Sequence, residues 1–386
     1  MNRRIVRVGA LIALLWLNAC AVAPPPPAPV GYQPTDVSSD EAGLWAQMVK
    51  IEESLASSPA RVNDPELQRY LNDVSCKVAP DYCEDLRIYL IREPYFNAAM
   101  YPNGVMLVWT GLLLRVEDEA QLAFVLGHEL SHFRHRDTLA RWRQIKRTEN
   151  VVASLSVAGG AFGAGLVGVA GAVSGYAALF AYGRDLERQA DRYGLERIHQ
   201  AGYDPSAPGR LWQSMWEEDR VRDKALLSGI FATHPATEER ASELGRQGAE
   251  LGPGSDHRSR YQALIAPWRG QWLDDELGRR HYAQSEVLLR RLLSWPEADV
   301  STRYALAELY RLRAAEGDLQ RALSTYDEVL ALPQAPAVAY RQRAQVRAKL
   351  GDPSGAAADY RQFLRAQPEA PEQAMIEQLI NQLEGS

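Results

Sequence analysis

The sequence has no surplus of positive charge. Lysine and arginine number 43 against 49 acidic residues, a net charge of −6, which argues against a general nucleic-acid binder. Its N-terminal apolar run, VGALIALLWLNAC, is about 13 residues long, short for a membrane span and suited to the core of a signal peptide. Cysteine is scarce, three in the chain. Cys20 closes the apolar run, so only Cys76 and Cys83 remain to pair, six residues apart. What is present is ordinary for a globular protein: 386 residues, 46% apolar and 24% charged, enough for two domains and a sizeable core.

Arg3, Arg4 and Arg7 precede the apolar run. The ending LNAC resembles a bacterial lipobox, in which the cysteine becomes the lipidated first residue of the mature chain; an uncleaved anchor and a secreted protein with a chance cysteine are the other readings. Residues 1–19 are thus read as a lipoprotein signal peptide and Cys20 as the lipidation site. Ala21, rather than aspartate, at the next position points to the outer membrane. The proline-rich stretch 20–40 reads as a tether between lipid and domain. An exported chain lies in an oxidising compartment, which favours a Cys76–Cys83 disulfide over two buried thiols. Closing that loop is worth roughly 2.5 kcal/mol in the chain-entropy model.

Further along, 41–57 alternates at helical period, while 85–94 and 105–111 read as strands around a Pro102-Asn103-Gly104 turn. Residues 117–145 read as one long helix, acidic at its start and basic at its end. A polar helix is expected over 183–202. Beyond about residue 260, Gly317, Ala322 and Tyr326 recur 34 residues later as Gly351, Ala356 and Tyr360, with Pro333 and Pro368 closing the units. This resembles the tetratricopeptide pattern, small residues standing where paired helices cross. A fainter unit shows at Gly278, Ala283 and Val287, and 371–386 reads as a closing helix.

The chemistry concentrates in FVLGHELSHFRHRD, residues 124–137, which holds three of the seven histidines. On a helix, His128 and His132 stand one turn apart, about 40° around the axis and roughly 6 Å along it. Two imidazoles so placed can chelate one Zn²⁺. Glu129 is about 100° round, too far to join as a ligand but able to take the proton of a water whose pKa the metal lowers. His135 lies on the same stripe but about 10.5 Å from His128 along a straight helix, so it reads as an ordinary polar residue. A better candidate for the third ligand is Glu187 of ERQAD (187–191), with Asp191 one turn on to hold the free nitrogen of a ligand histidine; taken alone, the pair reads as two solvent-facing carboxylates on a charged helix.

HELSH followed some 55 residues later by ERQAD resembles the HtpX-like zinc metallopeptidases of peptidase family M48, over about residues 60–245. NAAMYPNGVMLVWTGLL resembles that family's edge-strand segment. The resemblance implies that His128, His132 and Glu187 bind zinc, that Glu129 is the general base and Asp191 the support of a ligand histidine, and that the edge of 105–109 pairs with substrate backbone. In THPATEER, it implies that His234 lies near the zinc, either steadying an oxyanion or occupying the metal's open position, and that Arg240 anchors a carboxylate of the site. Signal peptide, this domain and C-terminal repeats, in that order, are similar to the BepA-type periplasmic proteases of outer-membrane assembly.

The fold class expected is therefore mainly α: an α+β zincin-like domain with a small sheet over 41–255, then an α-solenoid of tetratricopeptide repeats over 256–386. The activity implied is a periplasmic, lipid-anchored zinc endopeptidase acting on unfolded or misassembled envelope proteins, with the repeats docking on an assembly machine. The alternative is a latent or non-catalytic chaperone or scaffold working through its repeats. Residues 151–182 carry no charge, yet His132 and Glu187 must reach one ion, so both ends lie on the same side. The stretch is too short for two crossings and reads as a helical hairpin within the domain or at a lipid interface.

Overall fold

The computed structural model describes residues 25–147, 182–223, 234, 237–297 and 299–385. The signal peptide, Cys20 and all but the last residue of the 151–182 hairpin lie outside them. Helix α1 (Asp40–Ala56) and helix α2 (Pro65–Val78) lead to a short mixed sheet of β1 (Arg87–Ile91), β2 (Ala98–Met100) and β3 (Val105–Trp109). The first strand runs parallel to β3 and the second antiparallel to it, giving the order β1-β3-β2. A single turn of helix, α3 (Thr110–Arg115), then hands over to α4 (Glu119–Arg134), whose start is capped by Asp118 accepting from the Gln121 N–H.

Two expectations are corrected here. The segment 105–109 is the central strand, paired on both sides, so it has no edge to offer; the edges are β1, whose outer side residues 60–62 partly cover, and β2, whose three residues are too few for alternation to reveal. The 117–145 helix is broken. It ends at Arg134, turns through Arg136 at φ 58°, and restarts as α5 (Asp137–Arg147).

Helix α6 (Arg184–Gln200) lies along α4, and glycines let the two come close. A Cβ on Gly194 would stand 3.1 Å from the His128 nitrogen, and one on Gly127 would stand 3.3 Å from Gly194 Cα. Helices α7 (Ala207–Asp219) and α8 (Glu238–Leu251) pack on this pair. Cys76 and Cys83 are bonded, with Cα atoms 4.7 Å apart.

Helices α9 (Arg258–Gly278) and α10 (Tyr282–Leu293) precede the pairs α11 (Val300–Arg313) with α12 (Asp318–Leu330) and α13 (Val338–Lys349) with α14 (Pro353–Ala366), and α15 (Gln373–Glu384) closes the array. Gly317 and Gly351, at φ 75° and 81°, occupy the left-handed turn inside each pair. Ala322 and Ala356 are fully buried, where helices meet side by side. The two halves share one core. A single apolar cluster runs from Leu67 through Trp272 and Leu288 to Val346. Ion pairs cross the junction: Arg115 bonds Glu276, Arg92 bonds Asp275, and Arg291 bonds Glu218.

The proline-rich segment is not a free tether throughout. Ala28 is 3% exposed; its N–H donates to the Arg134 carbonyl and its own carbonyl accepts from the Tyr82 hydroxyl. Among the described residues, no helix is long and apolar enough to cross a membrane.

Candidate metal centre

Because His128 and His132 stand one turn apart on α4, their rings face the same way, and the two Nε2 atoms are 3.3 Å apart. Each Nδ1 is held by a carboxylate: His128 by Asp191 at 3.1 Å and His132 by Asp137 at 2.8 Å. A carboxylate at Nδ1 keeps the proton there and leaves Nε2 as a bare acceptor. Two buried lone pairs thus confront each other at hydrogen-bond distance with no proton to share. Across from them is Glu187 of α6, with Oε2 3.6 Å from His128 Nε2 and Oε1 3.7 Å from His132 Nε2.

His234, just before α8, completes the group. Its Nδ1 lies 2.7 Å from Glu187 Oε1 and 3.3 Å from His128 Nε2, and its Nε2 is 3.6 Å from Glu129 Oε1. One donor atom from each of His128, His132, Glu187 and His234 falls within 4.8 Å of the others, and all four residues are buried. Glu129 Oε1 has no hydrogen-bond partner among the described residues, and Glu187 Oε2 has an ion pair with Arg240 but no hydrogen bond. Convergent imidazole nitrogens, a carboxylate and orphaned buried acceptors fit a divalent cation of the zinc type.

Electrostatics agree with that chemistry. Burial, then neighbouring His128 and His234, hold the His132 imidazolium far below its ordinary value, so the ring is neutral. Burial pushes the Glu129 carboxyl up against the pull of His234, His128 and the Met100 backbone N–H. For Glu187, burial is outweighed by His234, His128 and Arg240, and its carboxyl sits below the usual range.

Arg240 ties α8 to α6. Its guanidinium reaches both Asp191 oxygens at 2.6 and 2.8 Å and Glu187 Oε2 at 3.1 Å, and it lies 3.8 Å from the Trp212 ring centroid. Despite burial, Arg240 and His128 hold Asp191 down at about 2. Thr237 caps α8 by accepting from the Arg240 N–H, which places the guanidinium at the helix start.

The structure brings together Glu129, His128, His132, Glu187, Asp191, His234 and Arg240. It leaves His135 apart, turned onto the Ser131 carbonyl at 2.8 Å. Sequence reasoning missed Asp137 and Tyr182. On an unbroken helix, Asp137 would stand about 140° round from His132; only the turn at Arg136 brings it back. Tyr182 stacks on His132 at 3.9 Å and shares a hydrogen bond with Thr138, and no spacing rule marks it.

A helix-borne histidine pair, a carboxylate from a second helix and a small flanking sheet define the class: a HExxH metallopeptidase domain. Residues 61–247 match peptidase family M48, and residues 309–381 match a tetratricopeptide repeat. The chain thus carries an M48 peptidase domain followed by tetratricopeptide repeats. It is 27% identical over 246 residues to a putative beta-barrel assembly-enhancing protease of Vibrio cholerae, covering 58% of this chain and 49% of that one. To the beta-barrel assembly-enhancing protease of Escherichia coli strain K12 it is 24% identical over 208 residues, 52% of this chain and 42% of that one. To the mitochondrial metalloendopeptidase OMA1 of Bos taurus it is 30% identical over 172 residues, 41% and 32% respectively. The chain spans about half the length, or less, of the curated relatives it matches.

Proposed function

We propose that this protein is a zinc-dependent endopeptidase. The observation that carries the reading is the four-residue donor cluster within 4.8 Å, with both histidines held by carboxylates at Nδ1. His128, His132 and Glu187 would hold one zinc ion, which supplies Lewis acidity and lowers the pKa of a water. Glu129 takes the attacking water's proton and returns it to the leaving amine. Its raised pKa suits both halves of that task.

Substrate binds by strand addition at β2. Register and the Tyr101–Val105 and Trp109–Asn97 hydrogen bonds turn the backbone groups of Ala98 and Met100 away from β3. Strand β2 packs on α4, the helix that carries Glu129, so a peptide along this edge would run past the base. His234 sits inside the donor cluster here. That favours a resting state in which His234 fills the fourth position and withdraws before substrate enters.

The names of two relatives, beta-barrel assembly-enhancing proteases, support a role in beta-barrel assembly. In this reading the chain is exported, lipid-anchored at Cys20 and faces the periplasm from the outer membrane. It cleaves unfolded or misassembled envelope proteins, and its repeats dock on the assembly machinery. The test is cleavage of an unfolded polypeptide by the purified chain. Wild type should carry zinc and cut; E129Q should keep the zinc and fail to cut. Equal cutting by E129Q would overturn the mechanism.

A further inference from the structure

The turn between α4 and α5 carries a conformational oddity beside the donor cluster. Arg136, φ 58°, occupies the left-handed region that glycine or asparagine ordinarily fills at a helix end. A long side chain there is strained and persists only where surroundings over-determine it. The next residue is Asp137, the carboxylate on His132 Nδ1.

The surroundings that hold this turn come from the N-terminal segment. The Arg136 guanidinium lies over the Tyr32 ring at 4.7 Å, donates to the Tyr32 hydroxyl at 3.0 Å and pairs with Glu41 at the start of α1. Ala28 takes the Arg134 carbonyl, one of those a helix end leaves unpaired. Gly31 is itself pinned, its N–H donating to the Asp85 carboxylate at 2.9 Å. Ala28, Tyr32, Glu41, Arg136, Thr138 and His132 border one small cavity, so the segment reaches the wall of the site.

We propose that residues 28–41 form a clamp and that Arg136 is the positioning residue through which it acts: the clamp holds the left-handed turn, the turn places Asp137, and Asp137 fixes the His132 ring and tautomer. A positioned histidine binds metal more tightly than a free one, outer partners typically being worth 10–100-fold. The inference rests on the metal reading for its consequence, though not for its geometry.

The experiment uses the full chain and two readouts. R136G keeps the backbone turn, since glycine accepts this φ, and removes the clamp's grip. In the metal-free protein, the His132 Nδ1–H, assigned by its loss in D137A, should exchange with solvent at least tenfold faster in R136G, and about two- to threefold faster in Y32F. Zinc affinity by chelator competition should weaken about tenfold in R136G. R87A breaks the bidentate pair with Glu52, on the same helix α1 but outside the clamp, and should leave His132 exchange at the wild-type rate. An unchanged proton in R136G, or equal acceleration in R87A, would overturn the clamp. Absence of zinc from wild type would refute the metal reading, and the proton exchange would still decide the clamp.

Discussion

Two buried charge clusters among the described residues, the candidate metal centre and the junction with the repeats, differ in how their carboxylates are satisfied. At the junction with the repeats, Glu218 is bonded by Arg115 and Arg291, and Glu276 by Arg115, Arg279 and Ser285; all four carboxylate oxygens have partners. At the candidate metal centre, Glu129 Oε1 is without a hydrogen bond among the described residues, Glu187 Oε2 has only the ion pair with Arg240, and two imidazole Nε2 atoms face each other. A buried cluster whose acceptors are matched by its own donors belongs to architecture. One with surplus acceptors aimed at a common point is built for a cation from outside.

That contrast breaks if mutations in the two clusters have the same effects. The largest effect is expected at Glu129: E129Q should lower cleavage by roughly a thousandfold, within the usual range for a general base, while denaturation midpoints stay at wild type. Substitution at the junction should do the reverse. R115M strands Glu276 and Glu218 in part, at a cost of about 3–5 kcal/mol, read by urea denaturation, while the protein still binds zinc.

The junction should also respond to acid. Despite full burial, Arg115, Arg279 and Ser285 hold Glu276 down at about 2, against an ordinary value of 4.5. A carboxyl that ionises more readily when folded stabilises the fold above its unfolded pKa and gives that up as pH falls toward its folded value. About 3 kcal/mol should therefore be lost between roughly pH 4.5 and 2, and E276Q should flatten that part of the stability curve. At the metal centre the lever is the ion: zinc at about 100 times its Kd should add about 2.7 kcal/mol to wild-type stability and nothing to E187A.

Much of the metal centre and of the repeats was legible in sequence, for identifiable reasons, while the junction cluster of Arg115, Glu218 and Glu276 was not, its members standing about 60 to 160 residues apart with no shared motif. HELSH and ERQAD are each one helical turn long, so spacing alone sets which side chains share a face. The repeats announced themselves through recurring glycine, alanine and tyrosine, because close helix crossings and left-handed turns admit few residue types. Asp137 was hidden because its place depends on a break at Arg136, a residue type that does not signal one. The edge strand was misassigned because Ala98–Met100 is too short to show a period and its hydrophobicity matches that of its neighbour. The packing of Ala28 was invisible because proline-rich composition ordinarily marks chain that does not pack.

The central claim is that one metal ion is held jointly by two histidines of one helix and a glutamate of another. Metal analysis of dialysed wild type beside E187A tests it most directly. The account predicts one zinc per chain in wild type and none in E187A. Wild type without stoichiometric metal, or E187A retaining as much as wild type, would contradict it.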